Sequence, residues 1–267
     1  MLLFEKKCPN CDTYYDPTLN QCPTCHKDNE LYAQRDICKN VVFLHPLAQM
    51  GLFLGGFSYG GMVICGVIAT FFCSGVASEI LKNGLILLFA YLMMLAGLLT
   101  IPVLTRREAF FKKFTRPIDY AYGAGFAVAA ILAGLAIDAI VKACAGNISN
   151  GNQDTAVNLA LNYPVLAGFI VILLGSICEE MTYRVGLYSF LKRINRILAF
   201  AITVIIFALI HFDFEAANMT NEFIALPSYL VCGFILTLAY EMRGPASSIT
   251  AHMLYNLFAF IMIFVER

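Results

Sequence analysis

Seven apolar segments, most of them near 20 residues long, constrain this chain more than any other feature of its sequence. A helix needs roughly 20 apolar residues to cross a bilayer, allowing for tilt. The segments lie at 47–73, 84–104, 118–142, 161–190, 197–211, 223–241 and 246–265. The chain is 60% hydrophobic and 13% charged, which is more apolar than a typical soluble domain. We predict an all-α polytopic membrane protein with about seven transmembrane helices, and a range of six to eight because the glycine-rich first segment could be broken.

The loops between these segments differ in charge from one side to the other. Lysine and arginine are concentrated at 105–117, in "KRINR" (192–196) and at Arg243, and these three stretches fall on the same side. Because basic loops stay in the cytoplasm, the pattern predicts a cytoplasmic amino terminus and an integral position in a cell membrane. Membrane lipid is therefore an expected partner. The net charge of zero gives no reason to expect a nucleic-acid partner.

Two C-x-x-C pairs mark a separate module at the amino terminus. The pairs are Cys8 with Cys11 and Cys22 with Cys25, and ten residues separate them. Two such turns can direct four thiolates at one tetrahedral Zn²⁺ ion, and too few apolar residues lie between them for a core without metal. We predict a zinc ribbon with a structural zinc at 1–30 and a linker at 31–46, with disulfides as the alternative. Reduced thiols agree with a cytoplasmic side, and a ribbon of this size more often recruits a protein partner than catalyses.

Charged side chains interrupt the fourth apolar segment. One charge at the centre of a membrane helix costs about 2.5–3.5 kcal/mol on insertion scales, so each needs a partner or a task. Glu180 and Arg184 lie four positions apart on one helical face and can pair. Glu179 lies about 100° round the helix from Glu180 and is the carboxylate left for chemistry.

Three further polar side chains, on two other segments, could meet Glu179 in one cavity. His211 ends the fifth segment, and His252 and Asn256 lie four positions apart on one face of the last. A carboxylate and an imidazole can deprotonate water, while a second imidazole and an amide can donate hydrogen bonds to an oxyanion. Alternatively, the glutamate and the two histidines could hold a catalytic metal. Each group taken alone is more often a hydrogen-bond partner between helices.

Three motifs occur in order along these segments. They are E-E-x-x-x-R as "EEMTYR" (179–184), F-x-x-x-H as "FALIH" (207–211) and H-x-x-x-N as "HMLYN" (252–256). With them, residues 118–265 resemble the CPBP family, also called Abi, which comprises type II CAAX prenyl proteases and bacteriocin-processing or immunity proteins. The resemblance implies an intramembrane endopeptidase domain at 118–267, preceded by further transmembrane helices at 47–117.

The resemblance also implies a role for each motif residue. Glu179 and His211 would activate water, His252 and Asn256 would stabilise the oxyanion, and Glu180 and Arg184 would support them. The family is described both as metal-dependent and as metal-free, and an asparagine in place of a third strong ligand favours the metal-free form. The substrate would be a membrane-associated peptide or protein. The small ribbon and the cysteine content suit a prokaryotic cell membrane, where the substrate would not be a prenylated CAAX protein.

Two other functions fit the same sequence. The polar set could hold helices together in a non-catalytic membrane immunity or scaffold protein of the same fold. Glu179 could instead be the proton site of a transporter, although the chain lacks the internal repeats typical of such proteins. Replacing Glu179 by alanine separates the first two possibilities, because a protease loses its activity at near-normal abundance.

Overall fold

The computed structural model describes residues 6–15, 19, 21–28, 41–42, 44–57, 63–146, 148 and 151–265. Within these ranges a two-stranded antiparallel sheet, β1 (Lys6–Lys7) with β2 (Tyr14–Tyr15), precedes a bundle of helices. The helices are α1 (Pro46–Gly56), α2 (Val63–Cys73), α3 (Glu79–Phe111), α4 (Pro117–Ala145), α5 (Gly151–Asn162), α6 (Pro164–Leu191), α7 (Arg196–Leu209), α8 (Met219–Arg243) and α9 (Pro245–Val265).

Five of the described helices are long and apolar enough to cross a membrane, namely α3, α4, α6, α8 and α9. The helices α2 and α7 are apolar but shorter. The first predicted segment is divided after the glycine pair Gly55–Gly56, because α1 ends there and Phe57 is extended; the second described helix of this segment, α2, covers Val63–Cys73. Glycine is a poor helix former, which accounts for an end at this position. The all-α polytopic fold is thus confirmed, and helices occur in each of the seven predicted segments.

The basic loops lie together at one end of the bundle, which we call the basic end. Arg243, after α8, lies 3.9 Å from the carboxylate of Asp119 at the start of α4. Buried Glu241 accepts hydrogen bonds of 2.8 Å from Lys192 Nζ, just after α6, and from Arg196 Nε, at the start of α7. These ion pairs join the ends of α4, α6 and α8. That the basic end faces the cytoplasm stays a prediction.

Buried Glu222 organises the opposite end of the bundle. Its two carboxylate oxygens accept hydrogen bonds from Gly151 N at 2.9 Å and from Asp213 N at 3.0 Å. One side chain of α8 therefore fixes both the start of α5 and the loop that follows α7. A carboxylate is also favourable near the amino terminus of α5, where unpaired backbone N–H groups are exposed.

The end of the predicted linker packs into the bundle at the basic end. Val42 and Leu44 are buried, and Val42 N donates a 3.1 Å hydrogen bond to the hydroxyl of Tyr240 on α8. Arg193 donates to the carbonyl oxygen of Leu44. The stretch just before α1 is therefore part of the helical core, while residues 29–40 lie outside the described residues.

The helix α6 departs from the uniform α-helix that its sequence predicts. Its backbone is widened to a π-helix at Phe169–Gly175 and again at Glu180–Tyr188, with one α-helical turn, Ser176–Glu179, between them. Widened turns leave backbone groups that need other partners, and they occur often at functional sites. The predicted catalytic glutamate is the last residue of the intervening turn.

Candidate active site

Glu179, His211 and His252 meet inside the bundle, from α6, from the turn after α7 and from α9. Glu179 Oε2 is 3.9 Å from His211 Nε2 and 3.8 Å from His252 Nε2. Both distances exceed an ordinary direct hydrogen bond, which is about 2.7–3.2 Å long. The side chains of Glu179 and His211 are 18% and 15% exposed, so the cluster is not sealed. The structure thus brings three predicted residues together at separations slightly longer than direct hydrogen bonds.

Glu180 turns away from Glu179 and holds His252 in place. His252 Nδ1 lies 3.0 Å from Glu180 Oε1, and Arg184 Nη1 lies 3.0 Å from the same oxygen. The pairing of Glu180 with Arg184 agrees with their helical spacing, whereas nothing in the sequence points to the contact with His252. Because the carboxylate can only accept, the ring donates its Nδ1 proton to Glu180 and presents Nε2 to Glu179.

The buried guanidinium of Arg184 contacts a carboxylate, a backbone carbonyl and an aromatic ring. Arg184 Nη2 donates a 3.2 Å bond to the carbonyl of Gly233 on α8, and its guanidinium carbon lies 4.3 Å from the ring centre of Phe207. A cation over an aromatic face is stabilised further where water is excluded. The arginine therefore ties α6 to α7 and α8 directly beneath the cluster.

The imidazole of His211 is fixed by one hydrogen bond and two rings. Its Nδ1 lies 2.8 Å from the carbonyl oxygen of Phe207, one turn earlier, so Nδ1 donates and Nε2 offers a lone pair to the cluster. Tyr229 of α8 stacks on the imidazole with ring centres 4.6 Å apart and planes inclined by 17°, and Phe207 contacts it as well. Tyr229 lies outside the three motifs, and no pattern in the sequence predicts this contact.

Asn256 lies one turn beyond His252 on α9 and is bonded to α6. Its Nδ2 donates to the carbonyl of Val171 at 3.0 Å and to Ser176 Oγ at 3.2 Å. Val171 belongs to the first widened stretch of α6, so the amide supplies a partner to that backbone. Both amide hydrogens are used in this arrangement, and the predicted role of Asn256 as an oxyanion donor stays a prediction.

The four cysteines of the amino-terminal module form a candidate metal centre. The sulfur atoms of Cys8, Cys11, Cys22 and Cys25 all lie within 4.8 Å of one another. Sulfur atoms 3.5 and 3.6 Å apart, as measured for two pairs, approach the separation of about 3.8 Å expected around zinc with Zn–S bonds near 2.3 Å. Hydrogen bonds from Asn10 and the Lys27 backbone lower the pKa of the Cys25 thiol to about 6, which favours a thiolate ligand.

Both C-x-x-C turns have the same backbone geometry. Cys8 N donates to Thr13 O and Cys22 N donates to Lys27 O, both at 2.9 Å. The residue after each pair, Asp12 or His26, has a φ of 58° or 56°, a left-handed conformation that turns the chain back on itself. Two matching turns present four sulfur atoms to one point, as the spacing predicts for a zinc ribbon.

Comparison with known proteins gives a match in the region that contains Glu179, His211 and His252, which we call the membrane cluster. A family model described as "Type II CAAX prenyl endopeptidase Rce1-like" matches residues 161–258. No curated protein and no solved structure matches the chain. The matched stretch begins at the end of α5, reaches into α9 and includes all three motifs. This match confirms the resemblance carried by those motifs.

Proposed function

We propose that this integral membrane protein is an intramembrane endopeptidase that hydrolyses a membrane-associated peptide or protein. The observation that carries the proposal is the position of Glu179 Oε2 between the Nε2 atoms of His211 and His252, at 3.9 and 3.8 Å. A carboxylate and two imidazoles that converge in a low-dielectric interior are suited to moving protons at a peptide bond. The Rce1-like match to residues 161–258 supports the same reaction class.

Glu179 and His211 activate the water molecule in this proposal. Both Glu179 Oε2 and His211 Nε2 present lone pairs, and one water molecule can donate a hydrogen bond to each across 3.9 Å. As the water oxygen bonds to the carbonyl carbon of the substrate, Glu179 takes up the proton that the water loses. That proton then passes to the amide nitrogen as the C–N bond breaks, so the carboxylate is restored.

His252 supplies positive charge to the oxyanion. Its Nδ1 proton is bonded to Glu180, so Nε2 can donate only when the ring is protonated. A protonated ring would pair with the buried carboxylate of Glu180, whose Oε1 also lies 3.0 Å from Arg184 Nη1. Asn256 could add a second donor only by releasing Val171 or Ser176. Glu180 and Arg184 are thus positioning residues.

Glu179, His211 and His252 are residue types that hold zinc in hydrolytic sites, and a zinc ion bound there would polarise a water molecule. Ligands about 2.0–2.1 Å from a tetrahedral zinc lie about 3.3–3.5 Å apart, closer than either measured separation from Glu179. Of the described residues, only the four cysteines form a group of three or more with ligand atoms all within 4.8 Å of one another. This spacing favours the metal-free arrangement.

The surroundings of the site complete the proposal. The five long apolar helices place the protein in a membrane with lipid as its environment. We further propose that the basic end and the amino terminus face the cytoplasm of a prokaryotic cell, and that the zinc ribbon binds a protein partner on that side. The charge asymmetry of the loops supports this orientation.

The test compares wild type, Glu179→Ala and His211→Ala in detergent, each offered a library of membrane peptides that is analysed by mass spectrometry. Glu79→Ala, which removes a carboxylate whose side chain is 74% exposed, is the matched control. We expect cleavage by wild type and by the control only, with all four proteins equally folded. Cleavage by Glu179→Ala at the wild-type rate would end the proposal.

A non-catalytic scaffold is the second candidate, and one observation favours it. The buried network of Glu180, Arg184 and His252 joins α6 to α8 and α9 by an ion pair and hydrogen bonds, contacts that also occur in purely structural networks. If neither wild type nor any variant cleaves a peptide while all remain folded, the scaffold becomes the preferred function.

A further inference from the structure

Tyr91 of α3 presents its hydroxyl group to the side of Gly175 that Glu179 also faces. The position that a Cβ atom would take on Gly175 lies 3.8 Å from Tyr91 Oη, 3.9 Å from Glu179 Oε1 and 3.3 Å from the backbone oxygen of Ile170. The hydroxyl and the carboxylate therefore lie close to one point beside Gly175. Glu179 thus faces the two histidines with Oε2 and the space beside Gly175 with Oε1.

The ring of Tyr91 is held by packing on both sides. It is partly buried against an apolar cluster that includes Met94, Cys178 and Met181, and against a second cluster that includes Ala167 and Ile170. Next to Glu179, the Cys178 thiol donates to the carbonyl oxygen of Tyr91 at 3.8 Å, a distance normal for sulfur. A hydroxyl on a ring fixed in this way is positioned before any substrate arrives, which makes an electrostatic contribution effective.

The site as described lacks a neutral hydrogen-bond donor. The Nδ2 hydrogens of Asn256 are used on α6, and His252 Nε2 donates only from a protonated ring. A tyrosine hydroxyl donates without any change of protonation. We propose that Tyr91 is a further catalytic residue, which donates a hydrogen bond to the carbonyl oxygen of the scissile peptide. This role rests on the proposed endopeptidase function. Tyr91 lies outside the family match at 161–258 and outside the three motifs.

The proposal orients the substrate in the site. The scissile carbonyl enters the space beside Gly175 with its oxygen towards Tyr91 and its carbon towards the water held by Glu179 and His211. As the oxyanion develops, the hydrogen bond from Tyr91 strengthens. The hydroxyl keeps its proton throughout, so the proton balance of the reaction is unchanged.

The principal test is Tyr91→Phe, with Tyr163→Phe as its matched control. Tyr163 also loses a hydroxyl, but that hydroxyl contacts Ser78 Oγ at 3.2 Å at the opposite end of the bundle. We expect Tyr91→Phe to lower kcat by about 100-fold, as for the loss of one oxyanion donor, with KM and melting temperature unchanged. Tyr163→Phe should cleave as wild type does. Equal kcat values for Tyr91→Phe and wild type would overturn the assignment and leave the endopeptidase proposal intact.

A second pair of variants tests the space itself. Gly175→Ala puts a methyl group between Tyr91 and Glu179, and should lower kcat even with both side chains present. Gly97→Ala on α3 is the control, because nothing lies within 4 Å of its new methyl group. Full activity in Gly175→Ala would contradict a substrate carbonyl at this position.

One measurement is independent of cleavage. A 3-fluorotyrosine at position 91 should change its ¹⁹F chemical shift when Glu179 is replaced by glutamine, whereas a 3-fluorotyrosine at position 163 should not. An unchanged signal at position 91 would contradict the proximity of Tyr91 to Glu179. If the signal responds but wild type cuts no peptide, the endopeptidase proposal and the catalytic role of Tyr91 both fail, and only that proximity stands.

Discussion

Two adjacent glutamates have different surroundings, and the proposed function gives them different roles. The side chain of Glu180 is 0% exposed, and Oε1 contacts both Arg184 and His252 at 3.0 Å. The side chain of Glu179 is 18% exposed, and the nearest histidine nitrogens lie beyond hydrogen-bond distance of Oε2. A buried charge persists only with a partner, whereas a partly exposed carboxylate with a free lone pair can act on a substrate. The environment, and not the residue type, therefore separates the two roles.

Glu180→Gln should destabilise the protein strongly, although it replaces a side chain by one of similar shape. The substitution leaves the guanidinium of Arg184 buried without an opposite charge. We expect the free energy of unfolding to fall by about 3–5 kcal/mol, measured by denaturant titration in detergent. Glu79→Gln, on an exposed side chain, should have no comparable effect. In Glu180→Gln/Arg184→Met most of the lost stability should return. A double variant no more stable than the single one would contradict the pairing.

At the scale of the helix, α6 is shaped by its neighbours as much as by its own sequence. The glycine at 186 lets α1 approach so closely that a Cβ there would lie 2.8 Å from the backbone nitrogen of Phe53. Gly56 of α1 is similarly close, since a Cβ would lie 1.8 Å from Thr182 Oγ1. The two contacts lock the short helix α1 onto the second widened stretch of α6, next to the active-site turn.

Gly186→Ala should force α1 away from α6, because the obstacle is backbone and cannot rotate aside. We expect a loss of about 1–3 kcal/mol in the free energy of unfolding, as for other overpacked interiors. The matched variant Gly97→Ala meets no atom within 4 Å, and alanine is the better helix former by roughly 0.5–1 kcal/mol, so its stability should stay level or rise. Equal unfolding midpoints for the two variants would argue against the close contact.

At the scale of the whole molecule, two candidate centres of different chemistry occur in one chain. The four cysteines at the amino terminus offer soft ligands with ligand atoms all within 4.8 Å of one another, whereas the membrane cluster is spread more widely. Soft thiolates in this arrangement are typical of structural zinc. Metal content and peptidase activity should therefore depend on different residues.

Protein purified without chelators should contain about one zinc per chain, bound by the cysteines. Cys22→Ser should lose that zinc, while His211→Ala and His252→Ala should keep it, as measured by elemental analysis. A strong chelator should remove the metal without abolishing cleavage. If the histidine variants lower the metal content, the membrane site binds a metal and the metal-free arrangement is wrong.

Thiol labelling can test the proposed orientation of the bundle. Cys144, in the last turn of α4 at the end opposite the basic loops, is exposed. A membrane-impermeant maleimide should label Cys144 in intact cells, while the ribbon cysteines should react only after lysis. Cys144→Ser is the control that removes the external signal. Labelling of the ribbon in intact cells would reverse the orientation.

The sequence by itself determined the helical membrane fold, the two-part cysteine module and the motif residues that line the site. Each of these depends on local spacing, namely apolar runs of sufficient length, C-x-x-C turns, and side chains four positions apart on one helix. The pairing of Glu180 with Arg184 follows from such spacing, and the structure has it at 3.0 Å. The possible break in the first segment is also a local prediction, because it rests on the glycine content of that segment.

Only the tertiary structure decided which groups on different helices meet. His252 bonds to Glu180 across 72 positions of sequence, Asn256 is bound to α6, and Tyr91, on a helix outside the motifs, faces the same side of Gly175 as Glu179. The widening of α6 also follows from its surroundings, since Asn256 supplies a partner to the Val171 carbonyl and α1 packs on Gly186. Such contacts depend on how helices cross and on where their backbones approach each other. The spacing of residues within a single helix predicts neither of these.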